Sequence, residues 1–276
     1  MPTPSKPSAW DPRNPLLLRD AAETYTVLRQ FPAALKLNDR ELDITPNDPD
    51  ALATRARIYQ AEGNLPEAAK LLSQVDWQTP SGLLFYNKIN QLRLERNYPE
   101  AIRLLQARQA QFHFASENEK RDEQVWVALA QRLVGDVASA KVTAEQTRNT
   151  LEPLYKDQPD NWYLAYYLSQ LYAAIGEKNS ALKLAERAIM LLPRGKDAVS
   201  GPAWEENLAL IQTIFGENSR AISTLMPLLH KPYGPFGYAL PPITPVLLRL
   251  DPIWDPLRSD PAFQKLCEEK QPPAKP

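Results

Sequence analysis

The sequence predicts an all-α protein built from about six consecutive pairs of helices. Apolar residues recur at three- and four-residue steps in two successive stretches on either side of Gly176, as expected for two amphipathic helices joined by a turn. Proline recurs at spacings of 34 and 33 residues, at Pro32, Pro66 and Pro99. A small residue returns at an equivalent place in each predicted pair: Ala34, Ala68, Ala101, Ala140, Ala181 and Ala221.

Residues 162–195 show how one pair is built. Gly176 is predicted to end the first helix, because glycine adopts the left-handed backbone conformation without strain. Pro193 is predicted to stop the second helix near Leu192, because proline lacks an amide donor and disfavours helical geometry in the residue before it. The unit is therefore a helical hairpin, and its recurrence along the chain predicts an array of such hairpins.

Four segments are predicted along the chain. Residues 1–13 form a flexible leader, residues 14–229 the helical array, residues 230–270 a loop rich in proline and glycine followed by a C-terminal cap, and residues 271–276 a tail. Asn14 is followed by proline, which is typical of a helix N-cap and marks the start of the array.

The C-terminal cap is predicted from three Asp-Pro steps, which begin at residues 251, 255 and 260. Aspartate as N-cap and proline as first helical residue predict a helix start each time. An array of repeats exposes an apolar face at its end unless a further segment covers it. We therefore expect four apolar residues of the cap to pack on the sixth pair: Trp254, Leu257, Phe263 and Leu266.

The spacing of these residues resembles that of the tetratricopeptide repeat, a helix-turn-helix unit of about 34 residues. The stretches KDAVSGPAWEENLALIQTIFGENSRAI and LLRLDPIWDPLRSDPAFQKL resemble the end of the tetratricopeptide regions attached to bacterial serine/threonine kinases and adenylate cyclases, and DPRNPLLLRDAAETY resembles their opening. The resemblance implies a right-handed superhelical solenoid with a C-terminal capping segment. It also implies a sensory or interaction role, without the catalytic domain.

The composition argues against nucleic acid and membrane as partners. The chain has 32 Lys and Arg residues and 33 Asp and Glu residues. The resulting net charge of -1 gives no general attraction to nucleic acid or anionic lipid. No apolar run approaches the roughly 18 residues that a membrane-spanning helix needs, and the N-terminus has no apolar core typical of a secretory signal. We therefore expect no membrane insertion and a cytoplasmic location.

No catalytic residue, metal site or cofactor is predicted. His113 and His230 lie in separate irregular stretches without metal-ligand spacing, and the single Cys267 cannot form an intrachain disulfide or a cysteine-based zinc site. The sequence has no phosphate-binding glycine loop of the P-loop kind. The expectation is a protein that is not an enzyme.

In the arrays that this sequence resembles, the first helix of each pair lines a concave face. Arginine can hold a carboxylate by two hydrogen bonds and tyrosine offers a large contact area, so a face rich in both fits a protein or peptide partner with acidic groups. The resemblance places ten partner-binding residues there: Arg19, Arg57, Gln60, Tyr86, Asn90, Arg93, Arg132, Tyr163, Tyr166 and Gln170. Three of the arginines, at 19, 57 and 93, are expected to form a diagonal basic line that Glu23 partly offsets.

Two functions remain open from the sequence. The first is a non-catalytic protein-protein interaction scaffold that binds a peptide or protein segment in a concave groove, as a sensor or regulatory region of a bacterial signalling system. The second is an all-helical enzyme or small-ligand binder with a pocket inside the curve. An enzyme gathers titratable residues at one convergent point. Here the arginines and tyrosines are spread over several pairs, which favours the scaffold.

Overall fold

A computed structural model describes residues 13–114, 116–234 and 241–269. The predicted leader up to residue 12, the middle of the predicted loop and the predicted tail lie outside these ranges. Every regular element in the described ranges is helical, and none of these helices is both long and apolar enough to cross a lipid bilayer. The elements are α1 (Pro15–Val27), α2 (Phe31–Ile44), α3 (Pro49–Glu62), α4 (Leu65–Leu71), α5 (Gly82–Leu94), α6 (Tyr98–Gln111), α7 (Glu117–Leu133), α8 (Val137–Asp157), α9 (Trp162–Ile175), α10 (Lys178–Leu191), α11 (Gly201–Ile214), α12 (Asn218–His230), α13 (Pro245–Leu250), the 3-10 helix η1 (Pro252–Leu257) and α14 (Pro261–Glu268).

The predicted all-α class is confirmed, with neighbouring helices packed against each other. In this part of the chain α1 to α12 follow one another as six pairs, and the second helix of each pair also packs on the first helix of the next. First helices contact one another as well, α1 with α3, α3 with α5, α7 with α9 and α9 with α11. The six alanines that recur in the sequence are all fully buried, because a methyl group lets the helix backbones approach closely.

The residue that turns the chain within each pair has a left-handed backbone. Four of these residues are glycines, which adopt this conformation without strain: Gly63, Gly135, Gly176 and Gly216. In the first and third pairs the residue is an arginine, Arg29 with φ of 58° and Arg96 with φ of 60°. A non-glycine residue in this region costs about 1–2 kcal/mol, so both arginines must gain interactions elsewhere.

Most helix ends follow the predicted signals. The side chain of Asn14 accepts a hydrogen bond from the amide of Leu16, and α10 ends one residue before Leu192. In the cap, Asp251 is the N-cap of η1 and Asp260 the N-cap of α14. The prediction of a helix start at the middle Asp-Pro step is wrong, because Asp255 lies inside η1 and its carboxylate is engaged by arginines rather than by backbone amides.

The C-terminal elements pack on the last pair and also on the first half of the chain. The four apolar residues that the sequence assigns to the cap are buried, with η1 against α11 and α12, and α14 against α12 and α13. In addition, α13 packs on α3. We call residues 241–258, which include α13 and η1, the crossing segment, because they connect the last pair to helices near the N-terminus.

A pair of leucine substitutions in α8 tests the close packing of the pairs. Ala140 is fully buried whereas Ala138, in the same helix, is exposed. We expect Ala140→Leu to lower the free energy of unfolding by about 1–3 kcal/mol, because extra methylene groups overpack a filled core. Ala138→Leu is the matched control and should leave stability nearly unchanged in urea unfolding followed by circular dichroism. Equal effects of the two variants would show that the helices are not packed as described.

Candidate functional site: the crossing segment and the first helices

The crossing segment contacts α3 at a point where only glycine leaves room for it. The hydroxyl of Thr244 donates a hydrogen bond to the carbonyl oxygen of Ala61 at 3.1 Å and also caps α13. At the end of α3, a Cβ atom on Gly63 would collide with the side chain of Val246 and lie 3.1 Å from Cδ1 of Leu250. The turn glycine of the second pair therefore serves both the left-handed backbone and the close approach of α13.

A buried ion pair joins the crossing segment to α5. The guanidinium of Arg93 donates to the carboxylate of Asp251, and the two residues are 3% and 7% exposed. The same carboxylate accepts a hydrogen bond from the amide of Ile253 at 3.1 Å, which starts η1. The pair joins residues separated by 158 positions in the sequence. Because each charge is removed from water, each depends on the other to offset its desolvation.

A second ion pair lies four residues further along the segment and is half exposed. Arg96 donates to both carboxylate oxygens of Asp255, at 2.6 and 3.0 Å, and Arg258 donates a third hydrogen bond at 2.6 Å. The hydrogen bond from Arg96 is the main cause that lowers the pKa of Asp255 below its ordinary value. The left-handed turn of the third pair thus carries an arginine that holds the crossing segment by a bidentate contact.

The turn of the first pair reaches the last pair. Arg29 donates to the carbonyl oxygens of Leu228, at 2.8 Å, and of Leu229, which belong to the last turn of α12. These carbonyls have no partner within the helix, and a cation at a helix C-terminus also interacts favourably with the helix dipole. Burial lowers the pKa of Arg29. The turn residues of the first three pairs therefore all contact the C-terminal part of the chain.

A small cavity separates the crossing segment from α9 and α11. It is lined by Tyr166, Gln170, Glu206, Asp251 and Trp254, among others. The volume open to the centre of a water molecule is about 40 Å³. A water needs roughly 10–15 Å³ by this measure, so the cavity has room for about three waters.

Glu206 is a titratable group of this cavity whose pKa is raised, as is that of Tyr166. Its carboxylate accepts a hydrogen bond from the hydroxyl of Tyr233 at 2.6 Å. Burial raises the pKa of Glu206 to about 7, although the hydrogen bond from Tyr233 and the charge of Arg29 act in the opposite direction, and the charge of Asp251 adds to the rise. The arrangement is a compact polar cluster between the last pair and the crossing segment.

The predicted diagonal basic line is neutralised within the chain. Arg19 pairs with Glu41 at 2.7 Å and Asp48 at 2.6 Å, and Arg57 pairs with Glu23 at 3.0 Å. Arg93 is held by the crossing segment, as described above. The sequence predicts that Glu23 offsets the line in part, and the structure shows more extensive pairing, because acidic residues of other elements lie against each of these arginines.

Three further predicted residues lie in packed interiors. The amide of Gln60 donates to the carbonyl oxygen of Asn87 at 2.9 Å, which connects α3 and α5. The hydroxyl of Tyr86 donates to the carboxylate of Glu123, and burial raises the pKa of Tyr86. Asn90 is buried and accepts a hydrogen bond from Arg93 at 3.3 Å. Gln60 and Tyr86 thus connect neighbouring helices, whereas this bond of Asn90 lies within α5; Tyr86, Asn90 and Arg93 together line a second small cavity.

The remaining predicted residues divide between surface and interior. Tyr163 is half-buried, and its hydroxyl donates to Asp122 at 3.0 Å. Tyr166 and Gln170 are buried beside the cavity, where Gln170 donates to Asn207 at 3.1 Å. Arg132 is half-buried in the last turn of α7. The structure therefore does not bring the ten predicted residues together as one site.

The residues that hold the crossing segment were not predicted as a group. The sequence predicts Asp251 and Asp255 as helix caps and does not single out Arg96, which holds the crossing segment, or Arg29, which holds the end of α12. The available signal was the arginine at a turn position where four other pairs have glycine, because such a residue is uncommon in a left-handed backbone and indicates a local constraint.

Comparison of the chain with models of known protein families, and with curated protein sequences, gives no match. Among the residues that the structure describes, no three His, Cys, Asp or Glu side chains are grouped so that they could hold a metal ion. The ion pairs and hydrogen-bonded clusters of the described residues connect helices of the chain with one another.

Replacing each aspartate of the crossing segment by asparagine tests the two ion pairs. Asp251→Asn leaves Arg93 buried without a counter-charge, so we expect a loss of about 3–5 kcal/mol in the free energy of unfolding. Asp255→Asn removes a half-exposed pair and should cost about 0.2–1 kcal/mol. Urea unfolding monitored by tryptophan fluorescence measures both. A loss for Asp251→Asn no larger than that for Asp255→Asn would contradict the burial of the first pair.

Replacing Glu206 by glutamine tests the origin of its raised pKa. The folded-state pKa of about 7 lies above the ordinary value of 4.5, so the contribution of this group is fully present below pH 4.5 and is lost as the pH rises through 7. Glutamine has no charge to desolvate, so Glu206→Gln should be more stable than the wild type at pH 8 and similar at pH 4.5. The measurement is the difference in melting temperature between the two proteins across this range. A difference that does not change with pH would show that Glu206 titrates normally.

Proposed function

We propose that the chain is a non-catalytic interaction scaffold of the tetratricopeptide type. In this proposal the six pairs form a right-handed superhelical solenoid, and the first helices line a concave face that binds a peptide or protein segment. The observation that carries the proposal is the crossing segment itself. It contacts α3, α5 and α11 and faces α9 across the small cavity, so first helices of four pairs already accommodate a segment rich in proline.

The contacts of the crossing segment are of the kind that peptide grooves use. A hydroxyl pairs with a main-chain carbonyl at Ala61, a glycine permits close approach, and arginines hold carboxylates at two places. Apolar side chains such as Trp254 are buried between these polar contacts. An aromatic anchor with charged pairs around it is typical of the energetically important part of a protein interface.

The cavity beside the crossing segment gives no support to the alternative of an enzyme or small-ligand binder. With room for about three waters it is far smaller than the roughly 300–1,000 Å³ of ordinary ligand pockets. Each of its two carboxylates already has a partner, Arg93 for Asp251 and Tyr233 for Glu206. The resemblance to the regions attached to bacterial kinases and cyclases supports a sensor or regulatory role in signalling.

The experiment is capture of peptides by the intact purified chain. Overlapping peptides that cover the proteins of the source organism are displayed on an array, and bound peptides are then measured in solution. We expect acidic peptides to bind, with a peptide carboxylate replacing that of Glu23 at Arg57, and Arg57→Glu or Arg132→Glu to weaken binding about tenfold or more, because a reversed charge at an interface repels the partner. Both arginines are partly exposed on first helices.

Lys141→Glu is the matched control, since this lysine is exposed on α8, the second helix of its pair. It should leave peptide binding unchanged. Equal weakening by all three charge reversals would indicate a general charge effect rather than a site. Absence of captured peptides, or binding that is insensitive to both first-helix arginines, would contradict a concave binding face.

A further inference from the structure

The crossing segment occupies the face on which the proposed function places the partner, and this inference rests on that function. Its two carboxylates lie four residues apart, at Asp251 and Asp255, and Ile253 and Trp254 lie between them. The array supplies the complementary charges from one short stretch, Arg93 at the end of α5 and Arg96 in the turn that follows. The two arginines are three residues apart and the two aspartates four residues apart, and each arginine contacts one of the aspartates.

We propose that the crossing segment is an internal ligand, and that the partner is a segment of the same chemistry which displaces it. The partner would carry two carboxylates four residues apart with apolar residues between them. Arg93 and Arg96 would exchange Asp251 and Asp255 for the carboxylates of the partner. The buried side chain of Trp254 would give way to an aromatic or large aliphatic residue of the partner.

Several features fit a displaceable segment. The segment consists mainly of two short elements, α13 and η1, which have six residues each. Helices of this length have little stability of their own and depend on packing. The outer ion pair, between Arg96 and Asp255, is half exposed and can open first. Arg96 would then be available to a carboxylate from outside while Arg93 is still paired.

Tethering explains why an external partner must match the segment closely. A ligand joined to its own site competes at an effective concentration on the order of millimolar. The apparent affinity for a partner equals the intrinsic affinity multiplied by the fraction of molecules in which the segment is released. Variants that weaken only the segment should therefore increase the affinity for a partner, although they remove contacts from the protein.

The test uses the full chain and a fluorescein-labelled peptide of residues 243–258, with binding followed by fluorescence anisotropy. Asp255→Asn weakens the segment while Arg93 and Arg96 are retained. We expect this variant to bind the peptide about two- to fivefold more tightly than the wild type, because only a half-exposed pair is lost, and the double variant with Asp251→Asn to bind it at least about tenfold more tightly. A peptide with asparagine at both aspartates should bind at least tenfold more weakly, because it offers no carboxylates.

A disulfide provides the opposite variant. A Cβ atom on Gly63 would lie 3.8 Å from Cβ of Val246, within the range of about 3.5–4.5 Å found in disulfides. Val246→Cys removes the methyl group that a side chain at position 63 would meet, and cysteine at this left-handed position costs about 1–2 kcal/mol. In the double variant Gly63→Cys, Val246→Cys, oxidation should fix the segment and abolish peptide binding, and reduction should allow binding at least as tight as that of the wild type. The buried Cys267 is kept, and mass spectrometry of proteolytic fragments identifies the linked pair.

The outcomes separate this inference from the proposed function. Tighter binding by Asp255→Asn, together with redox control by the disulfide, supports displacement. Equal binding by the wild type, Asp255→Asn and the oxidised disulfide variant would place the peptide elsewhere and overturn it. No binding of the peptide by any form also overturns it, but capture of unrelated acidic peptides on the array would then still support the scaffold.

Discussion

The buried ion pair between Arg93 and Asp251 is the constraint on which the arrangement of the chain depends. In a repeat array each unit contacts its neighbours, and stability is close to a sum of local terms. Here a charge in the third pair is paired with a charge 158 residues later. Because neither charge is solvated, the pair requires the crossing segment to return to α5. The contacts of Arg29 with α12 and of Arg96 with Asp255 reinforce the same connection.

The two left-handed arginines show how the strain of a turn can be coupled to a long-range contact. Glycine would relieve the backbone cost at Arg29 and Arg96, but it could not reach the carbonyls of α12 or the carboxylate of Asp255. The turns of the first and third pairs therefore have a less favourable backbone conformation, but their arginines form hydrogen bonds with the C-terminal elements. This connection holds the crossing segment on the face where we propose that a partner binds.

The helix pairs could be predicted from the sequence because their signals are local. Apolar periodicity, the buried alanines and the glycine at position 176 act within a few turns of helix, and the structure agrees with them. The candidate site could not be predicted in the same way. Whether Arg93 faces solvent or a carboxylate depends on a residue 158 positions away, and Tyr86 depends on Glu123, 37 positions away. The spacing of residues along the sequence predicts which face of a helix such a side chain occupies. Which residues lie against that face depends on tertiary packing.

A double-mutant cycle on Arg93 and Asp251 tests the central claim most directly. The free energy of unfolding is measured in urea for the wild type, Arg93→Ala, Asp251→Ala and the double variant. If the buried ion pair joins the third helix pair to the crossing segment, the two losses will not add, and the coupling energy will be about 1–3 kcal/mol, as for contacting residues. Additivity within about 0.5 kcal/mol, as for residues that do not touch, would contradict the closure of the chain through this pair.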